Sequence, residues 1–127
     1  MDIKEKPKKA YQKVIEYEKD NRRIAYREIK NIGYDISSKG KNQIRHIEVK
    51  ATSRETPHFR FLTEKEFITM THDKHYYLYI VCNIDAKKPG VYEFNQNEIL
   101  KRFKRVEPNY VISFSKDDFK KHKKRKV

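Results

Sequence analysis

The chain has little cysteine, little glycine and no long apolar run. Its single cysteine, Cys82, excludes an internal disulfide framework and a cysteine-based zinc site. Three glycines are too few for a glycine-rich phosphate-binding loop. No apolar run approaches the roughly 18 to 20 residues that span a bilayer, and the N-terminus has no signal-type apolar stretch. These absences predict a cytoplasmic protein with no membrane partner, in which Cys82 packs in the core.

Positive charge is abundant instead. The 127 residues include 31 Lys and Arg against 18 Asp and Glu, so the formal net charge is +13. This length predicts a single domain. An excess of this size is typical of a domain that binds a polyanion, with nucleic acid as the first candidate. The alternative is a solvated surface that only keeps the protein soluble.

Basic residues are concentrated at both ends of the chain. Residues 1–9 and 120–127 are predicted to be basic tails, because they are rich in lysine and poor in apolar residues. Residues 10–119 form the predicted domain.

Apolar spacing in the domain predicts helices and strands in a mixed order. Helices are expected at 8–23, after the capping box Thr63 to Glu66, and after a second cap formed by Asn95 with Glu98. Strands are expected at 24–32, 34–38, 44–51, 59–62, 76–84, 91–94 and 110–114. The run 76–84 is apolar on both faces, which indicates a central strand. The sequence thus predicts an α/β or α+β domain with a mixed central sheet flanked by helices, in the order αβββ(β)αβ with a C-terminal β/α appendage.

Strand 44–51 carries charged residues in a chemically informative pattern. Side chains two residues apart in a strand share a face, so Glu48 and Lys50 project together, opposite Ile47 and Val49. If this strand pairs with the preceding one, Asp35 can approach the same place.

The first helix is expected to contribute a further carboxylate. Glu18 continues the stripe of apolar residues in this helix, which faces the sheet, whereas Glu16 lies on the solvated side. Glu18 is therefore expected to reach Asp35, Glu48 and Lys50.

Carboxylates that converge in this way repel one another, and a divalent cation would remove that cost. Mg²⁺ prefers hard oxygen ligands and takes one or two carboxylates beside waters and phosphate oxygens. The sequence therefore predicts Mg²⁺ or Mn²⁺ as cofactor, with Lys50 orienting water or stabilising transition-state charge. The alternatives are a plain ion pair of Glu48 with Lys50, an ordinary turn residue at Asp35, and pairing of Glu18 with Arg22.

Two motifs carry a family resemblance. Gly33-Tyr34-Asp35-Ile36 followed by Ile47-Glu48-Val49-Lys50 resembles the PD-(D/E)xK, or restriction-endonuclease-like, nuclease superfamily. With residues 59–63 and 76–81, the pattern is more closely similar to the domain at the C-terminus of the plant protein NO VEIN, which also occurs in many prokaryotic defence-associated proteins. The resemblance covers roughly residues 14–84, and it departs from the superfamily at Tyr34, where proline is usual.

The resemblance implies a restriction-endonuclease-like core and roles for individual residues. Asp35, Glu48 and the backbone carbonyl of Val49 would bind the metal, and Lys50 would be catalytic. Glu18 would be the helix acid, with Glu16 as its rival. Many members of the superfamily are inactive binding modules, so the resemblance implies both an active and an inactive alternative.

The resulting hypothesis is a metal-dependent nuclease that hydrolyses phosphodiesters, with DNA as the expected substrate. The alternatives are an inactive module that binds nucleic acid, and a protein-interaction module with partner subunits in a restriction, repair or defence assembly. A homodimer is expected by analogy with small nucleases that cut two strands. The predicted contacts with nucleic acid are all basic side chains: Lys39, Lys41, Arg45, His46, Arg54, Lys120, Lys121, Lys123, Lys124 and Arg125.

Overall fold

The computed structural model describes residues 5–30, 32–106 and 109–121. Within these ranges the helices are α1 (Glu5–Asp20), α2 (Glu64–His72), α3 (Gln96–Leu100) and α4 (Lys116–Lys121). The strands are β1 (Ile24–Arg27), β2 (Ile36–Gly40), β3 (Gln43–Ala51), β4 (Phe59–Leu62), β5 (Tyr76–Cys82), β6 (Gly90–Asn95), β7 (Phe103–Val106) and β8 (Asn109–Ser113). None of the described helices is long and apolar enough to cross a membrane.

A mixed sheet of five strands forms the centre of the fold. The strands lie in the order β1-β2-β3-β5-β6. Only β3 and β5 are parallel, and the other neighbours are antiparallel. A parallel pair needs a crossover connection, which β4 and α2 provide. The predicted central strand is confirmed, because all but one residue of β5 are buried.

Two apolar cores lie on opposite faces of this sheet. Helix α1 covers one face, where Val14 packs with Ile47 and Val49. On the other face, α2 contributes Met70 to a second core, which also contains Cys82. Cys82 is fully buried, as the sequence predicts. Because Ile47 and Val49 of β3 pack in the α1 core, the alternation of the strand directs Glu48 and Lys50 to the opposite face.

A second sheet lies outside the central one. It has three antiparallel strands in the order β4-β8-β7. The sequence does not predict this sheet, because β4 and β8 pair across about 50 residues and strand pairing at that separation leaves no local signal.

Helices extend into both segments that are predicted to be basic tails. Helix α1 begins at Glu5, so residues 5–9, predicted to be part of a tail, are helical. Pro7 is tolerated in the first turn of a helix, and the lysines on either side of it are anchored to loops. Lys6 donates to Ser53 Oγ at 3.1 Å, and Lys9 donates to the Ala86 carbonyl at 2.8 Å. At the other end, α4 continues to Lys121, and residues 122–127 of the predicted tail lie outside the described residues.

Candidate active site

Asp35 lies where β2 and β3 stop pairing. The ladder runs from Gly40 opposite Gln43 to Ile36 opposite Ile47, and β3 continues beyond it to Ala51. The backbone N–H of Asp35 donates to the Ile47 carbonyl at 2.9 Å. Its carboxylate Oδ2 accepts from the Val49 N–H at 2.8 Å. Asp35 is therefore held against the part of β3 that extends past its partner strand.

Glu48 and Lys50 lie beside Asp35, as the alternation of β3 predicts. The Lys50 Nζ is 3.2 Å from Glu48 Oε2. The Asp35 and Glu48 carboxyl groups are close enough to interact electrostatically. The three residues singled out from the sequence therefore share one site, although the sequence alone does not establish the register that joins them.

Glu66 contributes a third carboxylate, which the sequence analysis missed. Lys50 Nζ lies 3.0 Å from Glu66 Oε1 and 3.3 Å from Oε2. Glu66 also completes the predicted capping box, because its Oε1 accepts from the Thr63 N–H at 3.0 Å. The sequence did contain a signal for the position of Glu66, because a helix that connects two parallel strands begins near the carboxyl end of the first strand. The first turn of α2 therefore lies beside Lys50.

Burial and crowding determine the charge of this cluster. Only 4% of Glu48 is exposed, and this burial, with Asp35 and Glu66 nearby, raises the pKa of Glu48 to about 9 despite the Lys50 ammonium. Burial also raises the pKa of Asp35, although the Val49 N–H and Lys50 oppose it. For Glu66, burial would raise the pKa, but Lys50 and the hydrogen bonds outweigh burial and lower it. With a pKa of about 9, Glu48 holds a proton at neutral pH in the metal-free protein.

Glu48→Gln is expected to stabilise the metal-free protein in alkaline solution. The unfolded chain loses the Glu48 proton near pH 4.5, whereas the folded protein keeps it to about pH 9, so stability falls as pH rises through this window. A glutamine of the same shape removes that loss. We expect a gain of about 1–3 kcal/mol at pH 8 and none at pH 4, measured by urea unfolding in EDTA.

Glu16→Gln is the matched control for this experiment, because Glu16 is exposed on α1. Its stability should follow that of the wild type at both pH values. A Glu48→Gln protein that is less stable than the wild type at pH 8 would contradict a protonated, crowded Glu48.

The site offers hard oxygen donors. Among the described residues, no group of three or more His, Cys, Asp and Glu side chains is arranged as a ready metal site. Asp35 and Glu48 nevertheless fit Mg²⁺ or Mn²⁺, which need only one or two protein carboxylates. The Val49 carbonyl points to the same edge of β3 as its N–H, and that N–H contacts Asp35. The predicted donor set therefore lies together, with the Glu48 proton and Lys50 balancing its charge.

Glu18 does not join this site, which corrects the sequence-based expectation. Its carboxylate is fully buried and accepts from Arg23 Nε at 2.8 Å and Arg23 Nη2 at 2.7 Å. Tyr79 donates to the same carboxylate at 2.8 Å. Its rival Glu16 is exposed and pairs with Lys13 at 3.4 Å. The carboxylate on the helical stripe is buried because Arg23 neutralises it.

Arg45 is also not available to bind a phosphate. It is 6% exposed, and its Nη1 lies 3.1 Å from Glu93 Oε2 and 2.8 Å from the Tyr79 hydroxyl. Its guanidinium stacks 4.1 Å above the Tyr77 ring. Arg45 lies on the α1 face of β3, opposite Glu48, and its charge is needed there to compensate buried carboxylates.

His46 does lie on the Glu48 face, but it has its own partners. Its Nδ1 is 2.5 Å from Asp73 Oδ2, and its ring stacks on Tyr34 with centroids 4.5 Å apart. A histidine held in this way supports the loop that carries Asp35.

The other predicted nucleic-acid contacts are distributed over the surface. Lys39 and Lys41 are exposed but flank the β2–β3 turn, at the opposite end of the hairpin from Asp35. Arg54 is exposed just after β3, at the same end as the site, and Lys120 is exposed on α4. The remaining predicted contacts are Lys121, Lys123, Lys124 and Arg125, whose side chains lie outside the described part of the chain.

Two cavities meet at the carboxylates. Asp35, Glu48 and Glu66 line both of them. The first has a volume of 510 Å³ and lies against α1, and the second has a volume of 340 Å³. Lysines that the sequence analysis did not select lie at these cavities: Lys6 in the first, and Lys30 and Lys65 in the second. The acidic centre is therefore flanked by positive charge on both sides.

Comparisons with known proteins agree with this architecture. The model of the family described as Protein NO VEIN, C-terminal matches residues 6–94, which include all but the first residue of α1, the acidic centre and most of β6. The search of curated proteins found no match.

Among solved structures, the chain is similar to Archaeoglobus fulgidus Hjc, a Holliday junction resolvase from an archaeal hyperthermophile. The TM-score is 0.65 at 13% sequence identity, over 91% of this chain and 88% of that chain. At this low identity, the structural similarity shows a shared fold and no more. The fold is restriction-endonuclease-like, as the sequence predicts.

Proposed function

The chain belongs to the family described as Protein NO VEIN, C-terminal, and we propose that it is a metal-dependent nuclease domain that binds DNA and hydrolyses phosphodiester bonds. The observation that carries this proposal is the position of Asp35, Glu48 and Lys50 at the end of the β2–β3 ladder. A buried carboxylate cluster is costly for a structural protein, because like charges repel and burial disfavours them. A function that uses the cluster explains its presence.

Each residue has a defined part in the proposed reaction. Asp35 and Glu48, with the Val49 carbonyl, would hold Mg²⁺ or Mn²⁺, and the bound ion would supply positive charge for the phosphate. Lys50 would stabilise the negative charge that develops on the phosphate as water adds to phosphorus. Glu66 positions Lys50, since both of its oxygens lie within 3.3 Å of the ammonium.

Surface charge supports a nucleic acid as the substrate. The net charge of +13 attracts a polyanion, and Lys6, Lys30 and Lys65 surround the acidic centre with cations. DNA is favoured over RNA because the similar solved structure is named as a Holliday junction resolvase. A homodimer is part of the proposal, by analogy with small nucleases that cut both strands of a duplex.

Calorimetric titration of Mn²⁺ tests the proposal directly. The wild type is expected to bind the ion and nick supercoiled plasmid, and the double variant Asp35→Asn, Glu48→Gln should do neither. The matched control is Glu16→Gln, Asp20→Asn, which changes two exposed carboxylates of α1 in the same chemical way. Nicking that persists in the first double variant would contradict the proposed site.

A second function is favoured by one observation. Neither of the two candidate helix acids joins Asp35, because Glu18 is held by Arg23 and Glu16 is exposed. An inactive module that binds nucleic acid or a partner protein in a restriction, repair or defence assembly could retain such a site. This alternative predicts plasmid binding by the wild type without Mn²⁺ uptake and without nicking.

A further inference from the structure

The larger cavity beside the acidic centre has a lining unlike that of a plain phosphate site. It has a volume of 510 Å³, within the range of roughly 300–1,000 Å³ that holds small organic ligands. Its lining residues include the apolar Pro7, Ala10 and Ile84, together with the aromatic residue Tyr11. A phosphate alone needs neither apolar walls nor an aromatic ring.

Tyr11 is placed where a base next to the reacting phosphate would lie. It projects from α1 into the cavity that Asp35 and Glu48 also line. The Arg27 guanidinium lies 4.0 Å from the centre of its ring, so one side of the ring is fixed by a cation–π contact. Tyr11 is half-buried: it packs against the apolar core that α1 covers, and it also lines the cavity.

The two cavities lie on either side of the carboxylates, so they can receive the two nucleosides that a phosphodiester joins. Both cavities share the carboxylates of Asp35, Glu48 and Glu66, so a phosphate at this centre would direct one attached nucleoside toward each cavity. A nucleoside that enters a cavity leaves its complementary base behind, as in enzymes that take a base out of the stack.

We infer that the cavity against α1 binds one unpaired nucleoside of the substrate strand, with its base on Tyr11, so that the domain selects single-stranded or locally unpaired DNA. This inference rests on the proposed function, because it places the scissile phosphate at Asp35 and Glu48. Aromatic stacking on a base is sequence-tolerant, so little sequence preference is expected at this position.

Fluorescence anisotropy in EDTA tests the inference without cleavage. The probes are a labelled 12-nucleotide oligothymidylate and a labelled 12-base-pair duplex. Tyr11→Leu keeps an apolar residue on the helix but removes the ring. It is expected to weaken single-strand binding by about 5- to 150-fold and duplex binding by less than about twofold, because stacking is lost only for the unpaired base.

Two variants control this experiment. Tyr11→Phe keeps the ring and should bind the single strand as the wild type does. Tyr26→Ala removes an exposed tyrosine on β1, away from the cavity, and should change neither affinity. An equal loss of both affinities in Tyr11→Leu, or no loss, overturns the inference.

The same measurements separate this inference from the proposed function. A selective loss of single-strand binding by Tyr11→Leu, in a protein that never nicks plasmid with Mn²⁺, would support the nucleoside site and refute the nuclease proposal. Nicking by a protein whose Tyr11→Leu variant binds both probes normally would support the nuclease and refute the nucleoside site.

Discussion

Lys50→Ala is expected to lower phosphodiester cleavage by about 10²- to 10³-fold while leaving DNA affinity nearly unchanged. The Lys50 ammonium is the cation in direct contact with both Glu48 and Glu66, at 3.2 Å and 3.0 Å. It therefore acts at the acidic centre, where charge develops in the transition state, whereas affinity comes from many exposed cations. Rates of plasmid nicking with Mn²⁺ and anisotropy titrations in EDTA measure the two effects separately.

Lys19→Ala is the control for Lys50→Ala, because it removes one lysine from the exposed surface of α1. Both variants lower the net charge by one, so a difference in nicking between them comes from position and not from overall charge. Weakened binding with unchanged cleavage in Lys50→Ala would contradict a catalytic role for this residue.

Glu18→Ala is expected to destabilise the fold by about 3–5 kcal/mol, which is much of the total stability of a domain of this size. Glu18 is fully buried, and removing its carboxylate leaves the Arg23 guanidinium and the Tyr79 hydroxyl without this partner. Part of the stabilisation comes from charge balance, because two arginines and two glutamates form one buried network. Arg23 pairs with Glu18 and Glu93, and Arg45 pairs with Glu93. Urea unfolding at pH 7 measures the loss.

Glu16→Ala provides the comparison on the same helix, with an expected change within about 0.5 kcal/mol, because Glu16 is exposed. Glu18→Gln distinguishes a structural role of Glu18 from a catalytic one, because the amide keeps the size of the side chain but removes its charge. A folded Glu18→Gln protein should nick plasmid as the wild type does. Loss of nicking with unchanged stability would assign Glu18 a catalytic role after all.

Local chemistry explains most of the secondary structure that was predicted correctly. The capping boxes of Thr63 with Glu66 and of Asn95 with Glu98 both form as expected, because they involve residues only three apart. The apolar run of β5 predicts a central strand because a strand buried on both faces must be apolar on both faces. Alternation in β3 likewise predicts that Glu48 and Lys50 share a face. The cytoplasmic location and the tail boundaries stay predictions.

The nuclease motifs were accessible from sequence for a similar reason. Asp35 directly precedes β2, and Glu48 and Lys50 lie on β3 of the same hairpin, so short-range pairing is sufficient to bring them together. The sequence-based correspondence with a restriction-endonuclease-like core is confirmed by the family match and the similar solved structure.

Tertiary structure alone decided the partners of the remaining charged residues. Glu18 and Arg45 both lie in patterns that suit a nuclease site, yet each contacts a partner distant in the chain, Tyr79 and Glu93 respectively. Glu66 entered the site because the crossover brings α2 against Lys50. Strand alternation and helix caps involve residues only a few positions apart, so the sequence by itself determines them. The partner of a buried charged side chain depends on which helices and strands pack together. That packing depends on contacts between residues far apart in the chain.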